Sequence, residues 1–76
     1  MEVTMQMYIL YKNNEPFCAY ENEEDAKYDA HEQFGLAISR SKEKWQSIEL
    51  EIKKQEVQEI SSEYCLVDGN KVVIYQ

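Results

Sequence analysis

The sequence predicts an α+β domain in which an antiparallel sheet of four or five strands carries one helix packed on one face, in the order ββαβ plus a C-terminal β-hairpin. Three observations predict it. Apolar residues alternate with period two in residues 5–11 and 48–52, a helical period follows a capping residue near position 22, and turn-forming residues stand between strand-like runs at 13–14 and 68–71. With 76 residues, of which 43% are hydrophobic, the chain has material for one core and one domain, spanning 1–76.

The first strand is read from Met5, Met7, Ile9 and Tyr11 on one face and Tyr8 and Leu10 on the other, among Gln6 and Lys12. Both faces carry apolar side chains, which predicts a strand covered on two sides. Asn13 and Asn14 tolerate the left-handed backbone of a tight turn, and Pro16 marks the edge of the next run, Phe17-Cys18-Ala19-Tyr20. Residues 4–20 are therefore expected to form a β-hairpin.

Asn22 is the expected helix N-cap, followed by Glu23, Glu24 and Asp25 in a first turn where the helix dipole favours negative charge. Ala26, Ala30, Phe34, Ala37 and Ile38 recur at helical spacing as a stripe facing the sheet. The helix is expected to reach Arg40, with Gly35 either a close approach to the sheet or an early end. Alternation in Ile48-Glu49-Leu50-Glu51-Ile52 predicts a strand over residues 47–53, whereas residues 54–61, with Val57 and Ile60, fit a bent strand end or a short helical turn equally well. Tyr64 to Val67 and Val72 to Tyr75 flank Asp68-Gly69-Asn70-Lys71 as the final hairpin.

Charge narrows the function. Fifteen acidic and eight basic residues give a formal net charge of -7, and the excess lies in the first half. Glu21, Glu23, Glu24, Asp25, Asp29 and Glu32 fall in a twelve-residue window whose only counter-charge is Lys27. This run reads as an exposed helix face, suited to solubility or to a basic partner. Direct binding to nucleic acid is disfavoured, because phosphate contacts need clustered Lys and Arg. No apolar run approaches the about 20 residues of a membrane span, and the start of the chain has no basic, then apolar, leader pattern. A cytoplasmic location is expected on that basis.

The chemistry-bearing residues are sparse. His31 is the only histidine, with no nucleophile in a recognisable motif beside it, so no catalytic residue is assigned. Cys18 and Cys65 sit in apolar runs without paired spacing and read as buried thiols, so no metal or other cofactor is expected. Six tyrosines suit first a core rim and second an interface, and Trp45, which so small a domain needs for packing, closes the core end or, as the second reading, anchors an interface.

The run from Tyr8 to Phe17, YILYKNNEPF, followed by Glu23-Glu24-Asp25-Ala26-Lys27, resembles small proteins of tailed phages in which a hairpin leads into an acidic helix. The resemblance covers roughly the first half of the chain and rests on pattern. It implies a non-enzymatic protein that binds and disables a host factor in the host cytoplasm. The combined expectation is an inhibitor that engages the basic surface of a larger nucleic-acid-handling or defence protein through Glu21, Glu23, Glu24, Asp25, Asp29, Glu32 and Trp45. The alternative is a structural module that self-associates, as a homodimer, through the sheet face opposite the helix.

Overall fold

A computed structural model describes residues 3–34, 43–45 and 48–75. Their elements run β1 (Thr4–Lys12), β2 (Glu15–Tyr20), α1 (Glu23–Phe34), β3 (Glu43–Trp45), β4 (Ile48–Glu59), β5 (Tyr64–Val67) and β6 (Asn70–Val73). The α+β class and the antiparallel sheet with one helix agree with the sequence reading. The strand order is β2-β1-β4-β5-β6, with β3 pairing β4 beside this path.

Both hairpins turn where the residue types require it. Asn13 and Asn14 have φ of 52° and 69°, and Asp68 and Gly69 have φ of 51° and 80°. Two successive positive φ values make the tight turn whose twist matches that of the flanking strands. The second turn is shorter than the four residues read from the sequence. Asn70 and Lys71 already pair, with Val67 and Leu66 respectively, so β6 begins at Asn70.

The centre of the sheet is the long ladder between β1 and β4, in register from Thr4 opposite Gln58 to Lys12 opposite Leu50. This ladder decides residues 54–59, which the sequence left open: they continue β4 as strand. The chain turns only afterwards, where the amides of Ile60 and Ser61 both donate to the Tyr64 carbonyl at 3.1 Å.

The sheet also curls. Ala19 of β2 forms a parallel bridge with Ile74, and the Tyr75 amide donates to the Ala19 carbonyl at 2.8 Å. The last strand thus returns to the first hairpin, and the face opposite the helix becomes an interior. Met7, Ile9, Tyr11, Ala19, Val57, Cys65, Val67, Val72 and Ile74 are buried together there. A face expected to be open for self-association is therefore filled by the protein's own core. On the other side of the sheet Leu10, Cys18, Tyr20 and Leu50 meet Ala26 and Ala30 of α1, with Tyr8 and Ile52 packed at the margin. The two apolar faces read from β1 are each covered, one by barrel closure and the other by the helix.

The helix starts as expected. The Asp25 amide donates to Asn22 Oδ1 at 2.8 Å, and Asn22 Nδ2 donates back to Asp25 Oδ2 at 3.1 Å, satisfying one of the free amides of the first turn. The described helix ends at Phe34. The extension to Arg40, with Gly35, Ala37 and Ile38, lies outside the described residues.

Candidate functional site

Helical geometry sorts the acidic run into two sets. Ala26 and Ala30 are fully buried, and Asp29, one turn on from Ala26, is buried beside them at 8% exposure. The Asp29 carboxylate accepts a hydrogen bond from the hydroxyl of Tyr20. The expectation that Asp29 belongs to the exposed row is thereby corrected: position 29 borders the alanine stripe, and a phenol beneath the helix is available to satisfy a buried acid. Glu21, Glu23, Glu24, Asp25 and Glu32 are exposed, as read.

Tyr28 lies on the side of α1 opposite the alanines and is 62% exposed. Residues three and four apart are surface neighbours on a helix, so Tyr28 has Glu24 and Asp25 on its N-terminal side and His31 and Glu32 on its C-terminal side. Lys27 lies off this face and pairs with Glu23 across one turn, 3.9 Å from Nζ to Oε2. Lys27 is also three residues from Glu24 and so stands at the edge of the Tyr28 face. Sequence reading found the acids and missed their centre. The signal was present in the spacing of Glu24, Asp25 and Glu32 about Tyr28. Trp45 stands on a different element, β3, opposite Ile48.

Tyr75 adjoins the helix layer. Its ring meets that of Tyr20 with centroids 5.2 Å apart at 38°. Desolvation, followed by the charges of Asp29, Asp25 and Tyr28, raises the Tyr75 phenol above its ordinary range. Beneath it the Tyr20 hydroxyl is held protonated far beyond the normal range, first by burial and then by its bond to Asp29. Burial likewise raises both free thiols, Cys18 and Cys65, so neither is poised as a thiolate nucleophile. The two lie in separate clusters, Cys18 under the helix and Cys65 inside the barrel.

The barrel end carries a second polar group. The Tyr11 hydroxyl donates to Asp68 Oδ2 at 2.8 Å and lies 3.0 Å from the side-chain amide of Gln55, with Lys53 Nζ 5.0 Å from its ring centroid. Burial and then the Asp68 hydrogen bond push this phenol up to about 12. Two shallow depressions of about 330 and 300 Å³ share Glu15 and Pro16, one reaching Lys12 and Phe17 and the other Asn70 and Lys71. Neither brings a nucleophile to a base. Among the described residues no group of three His, Cys, Asp or Glu side chains could hold a metal ion, and no helix is long and apolar enough to cross a membrane.

In comparison with known proteins, no family model, no curated protein and no solved structure matches this chain.

Proposed function

We propose that the chain is a non-enzymatic binding protein that engages the basic surface of a larger protein through the exposed face of α1. The observation that carries this reading is Tyr28, 62% exposed among Glu24, Asp25 and Glu32, with Lys27 paired to Glu23 at the edge of this face. Tyrosine presents a large apolar area at low entropic cost and ranks among the residues that dominate interface energetics. Its ring face also attracts a guanidinium or ammonium group, which the surrounding carboxylates would hold. Such an acidic face steers a basic partner into encounter. The narrower role, inhibition of a host nucleic-acid-handling or defence protein, is supported by the resemblance of the hairpin and acidic helix to small phage proteins.

The test is capture from bacterial lysate by the immobilised protein at low and high salt, alongside the variant Glu24→Lys, Asp25→Lys, Glu32→Lys. The parent is expected to retain a partner that the variant loses, with retention weakening as salt rises. Equal capture by both proteins, or no capture at either ionic strength, overturns the reading.

A further inference from the structure

The helix carries the same dipeptide twice. Asp25-Ala26 and Asp29-Ala30 are one turn apart, so the alanines follow each other along one stripe and each acid borders that stripe on the same side. A slide of α1 by one turn, about 5.4 Å, would set Asp25 and Ala26 where Asp29 and Ala30 now stand. The side chains that α1 adds to the cluster under it, among those described, are Ala26 and Ala30. Alanine methyls raise no tall ridge against the sheet, so they oppose a slide or a partial roll only weakly. The carboxylates around Tyr28 keep the outer face in water, yet they fix the roll only to within a broad arc.

The structure tells the two acids apart by their partners. Asp25 is exposed and belongs to the cap, with its amide and carboxylate both bonded to Asn22. Asp29 is buried and accepts from the Tyr20 hydroxyl. That hydroxyl is a fixed point of the sheet: Tyr20 is fully buried, stands opposite Tyr8 in the β1–β2 register, and packs its ring on Tyr75, whose amide is bonded to the Ala19 carbonyl. Only Glu21 separates Tyr20 from Asn22, so the cap sets where the helix begins. Asp29 lies about 9 Å further along the axis from Glu23, and a directional bond there fixes the direction and roll of α1 as well.

We propose that Tyr20 and Asp29 are positioning residues, whose buried hydrogen bond selects one seat for α1 among neighbouring seats that the two alanines alone would allow. Selection is distinct from stabilisation. Removing one partner of such a bond is costly because the other stays buried and unpaired, whereas replacing both by apolar groups is nearly neutral. What the bond imposes is geometry, since only one acid at one roll of the helix reaches the phenol. The seat thereby decides which residues of α1 face outward and where Tyr28 stands over the sheet, whether or not that outer face takes a partner.

The test separates position from stability in the full chain. The double variant Tyr20→Phe, Asp29→Leu removes both polar partners, and its urea midpoint is expected to lie above that of Tyr20→Phe alone and close to that of the parent. Its nuclear magnetic resonance spectrum is expected to show broadened α1 amides, or a second set at about a tenth of the intensity or more, while the β1–β4 amides stay single and sharp. Contacts that the Ala30 methyl makes with the sheet in the parent should be shared with the Ala26 methyl in the double variant. Asp29→Asn keeps an acceptor for the phenol and should retain the single parent set. A double variant that is stable and gives one sharp set with the parent's methyl contacts overturns the positioning role. A double variant that loses the helical shifts of α1, or unfolds as early as Tyr20→Phe, overturns it too, because the bond would then be a stabilising contact.

Discussion

The two sides of the sheet are held by different means. Inside the barrel, Met7 and Ile9 of β1, Ala19 of β2, Val57 of β4, Val67 of β5, Val72 of β6 and Ile74 just beyond it are buried together, so each side chain is enclosed by several neighbours. On the helix side, among the described side chains, α1 contributes two alanines to the buried cluster, Ala26 and Ala30. Alanine lets a helix approach closely but removes little apolar area from water. Asp29 adds a hydrogen bond from Tyr20 where another large apolar residue could have stood. The described part of the helix is thus attached partly by a polar contact, whereas the barrel interior is apolar throughout.

The largest expected effect lies inside. Ile9 is fully buried at the centre of β1, and Ile9→Ala should cost about 2–5 kcal/mol, read as a lower midpoint in urea unfolding. A cost below 1 kcal/mol would mean that the interior is loosely packed and that the contrast is false. Tyr20→Phe comes next. It keeps the ring and its stacking but leaves the Asp29 carboxylate buried without its donor, a loss of about 1–3 kcal/mol. If the contrast holds, hydrogen exchange in this variant should speed up first in α1, with the β1–β4 amides still protected.

The smallest effect concerns alkali. Tyr11 has its pKa raised to about 12 in the folded protein, against about 10 for an unperturbed tyrosine. A folded-state pKa above the unfolded value means that the native state keeps a proton the unfolded chain releases. Its stabilisation is complete below pH 10 and is lost as pH rises through 12. Tyr11→Phe should cost about 1 kcal/mol at neutral pH through the lost hydrogen bond to Asp68. It should also make unfolding less steeply dependent on pH between 10 and 12. An unchanged slope would show that the barrel end does not hold this proton.

Legibility from sequence followed the range of the interactions. The turn at Asn13 and Asn14, the cap at Asn22 and the two apolar faces of β1 depend on neighbours in the chain and were readable. The second half of β4 was not, because Lys53-Lys54-Gln55-Glu56 shows no apolar alternation and is extended through its register with β1. Barrel closure was equally hidden, since it depends on Ala19 meeting Ile74, and neither residue advertises the other. At the site, the exposed acids were visible from composition alone. The inward turn of Asp29 could have been read from its position next to the Ala26 and Ala30 stripe, but a run of like charges masked it.

The β1–β4 ladder also bears on how the chain finds its fold. The hairpins β1–β2 and β5–β6 each close over two-residue turns with preset backbone angles, so their ends meet at little entropic cost. The central ladder instead joins Thr4 to Gln58 and Lys12 to Leu50, with the first hairpin's return strand, the helix and β3 all lying between them in the chain. Non-local pairing of this kind sets the rate of folding in small domains. The seam that carries the middle of the sheet is thus the natural bottleneck of folding, and a longer connection between α1 and β4 should slow folding much more than it lowers stability.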